Sequence, residues 1–167
     1  MPFALGRRKF QFGLAKGRLA TSGQLVPDLT AGSSLLAAET ILNSVSLPAK
    51  SLYKNGCGLY ISAFGSFAAN GNTKRIKVYL GTQTLFDTGA LTSNGTNWVI
   101  SLQLVRLAVG SQITVVYYID GTTPVAVALN ATTVDETADS TIYVKGTAAT
   151  ANADILSKAL IVEGLTI

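Results

Sequence analysis

The sequence contains no histidine and a single cysteine, Cys57. Without His, no side chain ordinarily titrates near neutral pH, which excludes the common acid–base relays and His/Cys zinc sites. One Cys forms no intrachain disulfide, and with no His to act as base it is a poor candidate nucleophile. Cys57 lies in an apolar run, Cys-Gly-Leu-Tyr-Ile, and is expected to be a small buried residue. Charged residues are also scarce, at 13% against 48% hydrophobic. A disordered chain needs the opposite balance, and a coiled coil needs far more Glu, Lys and Arg. No apolar run approaches the roughly 20 residues of a membrane-spanning helix, so no membrane partner is expected. The first nine residues have no apolar stretch after their charges and do not read as a secretory signal. Composition therefore argues against most enzymes, and no cofactor or metal is expected. What is present is a chain of 167 residues, long enough for one domain with a substantial core.

The charge that does exist is unevenly placed. Of 13 Lys and Arg, five fall within the first 18 residues: Arg7, Arg8, Lys9, Lys16 and Arg18. The remaining eight face nine Asp and Glu, so a nearly neutral body carries a basic arm. Phe3, Phe10 and Phe12 are interleaved with these cations, and Gly6, Gly13 and Gly17 weaken any helix there. Residues 1–20 are read as an extended arm. A solvated tail has no use for three Phe. Basic residues with stacking aromatics suit single-stranded nucleic acid, but a nucleic-acid-binding domain usually spreads its cations over a folded face. Nucleic acid is therefore not the expected partner. The arm is expected to dock on an acidic, partly apolar protein surface through Phe3, Arg7, Arg8, Lys9, Phe10, Phe12, Lys16 and Arg18.

Residues 21–38 are small and polar, broken by Gly23, Pro27 and Gly32, and read as a linker. From residue 39 onward the pattern changes to short runs of Val, Ile, Thr, Tyr and Phe with period two. About eight strands are expected, near 39–47, 57–67, 74–80, 84–87, 97–107, 112–119, 139–147 and 155–166, with a short one near 124–129. Ile76, Val78 and Leu80 share one face, as do Trp98, Ile100, Leu102 and Leu104. In 112–119, Ile113, Val115, Tyr117 and Ile119 are taken as the first face, opposite Val116 and Tyr118. Asn55-Gly56, Asn70-Gly71, Asn94-Gly95 and Asp120-Gly121 are turn signals, with Asn70-Gly71-Asn72 expected as a hairpin tip. Val99, Val105, Val116, Tyr118 and Ile161 are assigned outward, an apolar excess that suggests an oligomer. Asp135, Glu136 and Asp139 form the one acidic cluster. They lack a calcium-loop pattern and read as a solvated turn. Tyr60, Tyr79, Tyr117 and Tyr118 fall inside strands and are expected to pack, with an aromatic sugar platform as the other reading.

One stretch carries a further signal: Gly65-Ser-Phe-Ala-Ala-Asn-Gly-Asn-Thr-Lys-Arg-Ile-Lys-Val-Tyr-Leu-Gly. It is followed by Thr84-Leu-Phe-Asp-Thr-Gly-Ala-Leu and Asn97-Trp-Val-Ile-Ser-Leu-Gln-Leu-Val-Arg. This layout resembles that of jelly-roll domains of bacteriophage virion proteins, namely head decoration (cement) proteins, head fibres and tail-fibre tips. The resemblance covers residues 39–166 and leaves out the arm. It implies an all-β, antiparallel jelly-roll sandwich, organised as arm 1–20, linker 21–38 and jelly-roll domain 39–167. It also implies a homotrimer, a place on the virion, and architectural rather than catalytic motif residues. Two functions follow as expectations. The first is a non-enzymatic decoration protein that stabilises a tailed-phage head, with the arm bound to the major capsid protein. The alternative is a receptor- or carbohydrate-binding tip of a head or tail fibre.

Overall fold

The computed structural model describes residues 27–35, 38–148 and 153–165. They form ten strands: β1 (Gly32–Ser33), β2 (Thr40–Leu47), β3 (Gly58–Phe67), β4 (Lys74–Leu80), β5 (Gln83–Asp87), β6 (Asn97–Ala108), β7 (Ser111–Asp120), β8 (Thr123–Thr132), β9 (Ser140–Ala148) and β10 (Ile155–Leu165). Two antiparallel sheets result, one of order β1-β10-β3-β6-β7-β8 and one of order β2-β9-β4-β5. No described helix is long and apolar enough to cross a membrane.

Period-two patterning explains the layering. Each strand puts alternate residues on one face, and the buried sets of both sheets merge into one core. Ile76 and Val78 of β4 and Ile142 and Val144 of β9 meet Ile61 of β3 and Ile100 and Leu102 of β6. The largest core anchor is Trp98, fully buried and tilted against Phe67 at 6.4 Å between ring centroids. Its indole lies over Gly65, where an added Cβ would stand 2.6 Å from Cζ2 and 1.9 Å from the Leu156 carbonyl oxygen. Glycine at 65 is therefore a requirement of close approach. Trp98 Nε1 has no hydrogen-bond partner among the described residues.

The β7 strand differs from the expectation. Val116 and Tyr118 point into the core, and Ile113, Val115, Tyr117 and Ile119 point out. Both faces of this strand are apolar enough to bury, so alternation alone leaves its phase open. Specific partners decide it. Tyr118 packs on Phe86 at 5.7 Å, Thr114 Oγ1 donates to the Asn130 carbonyl at 3.3 Å, and Gln112 Oε1 accepts from Val134 N–H at 2.8 Å.

Candidate interaction surfaces

The region of the sequence motif is one end of the sandwich. Lys74, the first residue of β4, is fully buried. Its Nζ donates toward Asn70 O at 3.0 Å, Asn70 Oδ1 at 2.9 Å, Asn72 O at 3.0 Å and Ser93 O at 2.9 Å. An ammonium has three protons, so four acceptors saturate it. Asn70 and Asn72 turn their amide nitrogens to the buried Asp154 carboxylate, at 2.7 and 3.0 Å. Ser93 and Thr96 hydroxyls both donate to Asp120. The Asn-x-x-x-Lys spacing thus ties the β3–β4, β5–β6 and β9–β10 connections together. Residues 70–72 are a crossover between the sheets and not the hairpin tip expected, because β3 and β4 lie in different sheets. Gly71 accordingly is not in the left-handed region, whereas Gly89 (φ 70°) is, where Asp87 Oδ1 accepts its N–H at 2.8 Å.

The opposite end holds a second buried network. Arg106 Nε donates to Glu136 at 2.7 Å and Nη1 to Asn55 Oδ1 at 2.9 Å, while Gln112 reaches the other Glu136 oxygen. Glu136 is therefore interior, not part of a solvated turn as expected. Its neighbours diverge from it: Asp135 accepts from Thr137 N–H at 2.8 Å, and Asp139 from Ala49 N–H at 2.8 Å. Among the described residues no three His, Cys, Asp or Glu side chains converge on a common point. Cys57 is buried beside this end as a free thiol.

The outer face of the four-stranded sheet is charged and internally satisfied. Glu39 accepts from Lys77 Nζ at 2.9 Å, Tyr79 OH at 2.9 Å and Lys145 Nζ at 3.4 Å. Lys145 also stands 4.6 Å from the Tyr79 ring centroid and 5.5 Å from that of Tyr143, so a cation already occupies these aromatics. Arg75 grips Asp87 through both carboxylate oxygens. Partial burial pushes Glu39 up, but the bonds from Lys77, Tyr79 and Lys145 outweigh it and hold the carboxyl below its usual range. The Arg75 hydrogen bond, against partial desolvation, likewise lowers Asp87. A folded pKa below the unfolded one adds stability that is complete above the unfolded value and fades as pH falls through the folded one. These pairs are partly exposed, so solvent screening keeps each contribution small. Urea melts of an Asp87→Asn variant are expected to show a small loss at pH 7 that fades as pH falls through the lowered Asp87 titration and is gone once the carboxyl is protonated in the folded chain as well as the unfolded.

The outer face of the six-stranded sheet is the opposite in character. Along β3, β6, β7 and β8 the charged residues are Arg106 and Asp120, and the networks above engage both. The outward positions are Tyr60, Ser62 and Phe64 on β3, then Val99, Ser101, Gln103 and Val105 on β6. On β7 they are Ile113, Val115, Tyr117 and Ile119. Register stacks Val99 beside Ile119, Gln103 beside Val115, and Val115 beside Leu129. Val115 and Tyr117 are each 42% exposed and Leu129 67%. Two members of the expected outward set, Val116 and Tyr118, are buried, yet an apolar face exists, built from the alternate β7 residues.

The arm residues Phe3, Arg7, Arg8, Lys9, Phe10, Phe12, Lys16 and Arg18 lie outside the described residues. The point where that part of the chain joins the body is described. Asp28 exchanges backbone hydrogen bonds with Leu160 of β10 at 3.0 and 2.9 Å. Its carboxylate also accepts from Ser44 N–H at 2.9 Å. Within the segment read as linker, Gly32–Ser33 pair with β10. These short pairings leave no sign in the sequence, because two residues show no period. Comparisons with protein-family models, with curated proteins and with solved structures return no match for this chain.

Proposed function

We propose that the chain is a structural virion protein: a capsid decoration protein that binds the outside of a tailed-phage head and reinforces the shell. The observation that carries this reading is the strand order. With the β7–β8 hairpin set aside, the sheets read β1-β10-β3-β6 and β2-β9-β4-β5. First and last strands are neighbours, and so are second and next to last, a pairing that supports the jelly-roll reading. The hairpin extends one sheet of that framework.

The motif residues support the same reading. Gly65, Asn70, Lys74 and Trp98, which carry the resemblance to phage virion domains, are spent on packing and on closing one end. Such a body suits a particle that needs stiffness rather than turnover. The N-terminal arm supplies attachment, its five cations meeting acidic groups of the major capsid protein and its Phe side chains filling apolar grooves. A homotrimer presents three arms at once, and linked weak contacts gain avidity of about 100-fold or more. The receptor- or carbohydrate-binding tip is the weaker reading, because Ser93 and Thr96 in the 88–97 loop bond inward and Lys145 covers Tyr79 and Tyr143.

The test is co-sedimentation with empty shells of the encoding virus, using the full chain and a chain lacking residues 1–20. The truncated chain is expected to keep its circular dichroism spectrum and lose shell binding at least about 100-fold. Full occupancy by the truncated chain would refute attachment through the arm.

A further inference from the structure

We infer that the outer face of β3, β6, β7 and β8, with the free edge of β8, is covered by a second copy of this chain. Three observations carry it. The first is the face itself, which is uncharged across four adjacent strands while the other sheet's outer face holds Arg75, Lys77, Lys145, Glu39 and Asp87. The second is the edge. β8 is the last strand of its sheet; Pro124 and a register irregularity interrupt its start, but the regular run from residue 126 to 132 carries no Lys, Glu or Pro to guard its unpaired backbone. Long edges of this kind template pairing with another chain unless they are covered.

The third is area. Four strands about 4.8 Å apart and ten residues long give a flat footprint of about 600 Å². Side-chain relief brings the accessible area near the roughly 800 Å² per partner of a standard protein interface. A monomer rarely leaves so large an apolar surface bare.

Charge decides the occupant. The chain's own residues 1–20 are strongly basic and find no carboxylate on this face. An uncharged surface with apolar ridges instead complements a copy of itself, which needs no counter-charge. The inference deepens the homotrimer of the proposed function by naming the face the copies share, and it can fail while shell binding holds, because it is argued from the face and its edge alone.

Sedimentation velocity on the full chain tests it. The expected species contains at least two 17.4 kDa chains. A Val115→Glu/Leu129→Glu variant is expected to sediment as a monomer with an unchanged circular dichroism spectrum. Thr84→Glu, on the other sheet's outer side, should stay assembled. A wild-type monomer, or a double-Glu variant that remains assembled, overturns the inference. Hydrogen exchange on the wild type needs no variant. At a concentration where sedimentation shows assembly, the β8 edge amides should be protected from exchange. Rapid exchange of these amides in the assembled species means another face is buried, and equally overturns it.

Discussion

Lys74→Met is expected to lower the unfolding free energy by about 3–5 kcal/mol, the range for removing one partner of a buried charge network. Methionine fills similar volume, so the loss is electrostatic rather than steric. Removing the ammonium strips the donor from four oxygens, those of Asn70, Asn72 and Ser93. It also leaves the buried Asp154 carboxylate with amide donors whose orientation Lys74 had fixed. Three inter-sheet connections meet at that point, so the damage is not confined to one loop. For a chain of this size the shift in Tm is about 2–4 °C per kcal/mol, which predicts melting roughly 6–20 °C lower. The comparison is made at one protein concentration, because self-association would couple Tm to concentration. Urea unfolding of the variant within 1 kcal/mol of the parent would show that the network contributes little.

The second large effect is at Gly65. Gly65→Ala places a methyl group 1.9 Å from the Leu156 carbonyl oxygen and 2.6 and 2.7 Å from the Trp98 ring, so backbone and indole must both move. Overpacking in a close-packed core costs about 1–3 kcal/mol, and contact with a ladder carbonyl places this site at the upper end. Trp98→Leu, which opens a cavity, is expected to cost about 3 kcal/mol on its own. The two should be non-additive. In the Trp98→Leu background Gly65→Ala is expected to cost less by about 1 kcal/mol, because the indole is gone and only the Leu156 oxygen still resists. Strict additivity in chemical denaturation would mean that the indole does not press on position 65.

Most of this fold is legible from period two. Where one face is purely apolar, as in Ile76, Val78 and Leu80 or Trp98 to Leu104, the strand and its inward face follow directly. β7 defeats the same reasoning because Gln112 and Thr114 go inside, satisfied by Val134 and Asn130, while Val115 and Tyr117 go outside. Polar residues in and apolar residues out is a tertiary decision that no local pattern encodes. β8 is longer than the short 124–129 run expected, since Pro124 and the small residues of Val-Ala-Val-Ala blur its alternation. The end networks were hidden for a related reason. A Lys at the start of a strand, or an Arg near its end, reads as surface charge until loops distant in sequence bring carbonyls and carboxylates to it. The apolar excess on an outer face was visible as composition, but not the face on which it gathers, because that depends on the phase of β7. The arm's cations and aromatics are plain in the sequence, and the described structure contributes their point of attachment at Asp28.

The most direct measurement is cryo-electron microscopy of virions of the encoding phage. The proposal predicts many copies of the β sandwich at symmetry-related positions outside the head, with residues 1–20 lying on major capsid subunits. Density for the sandwich confined to the tail, or absent from the particle, would contradict it.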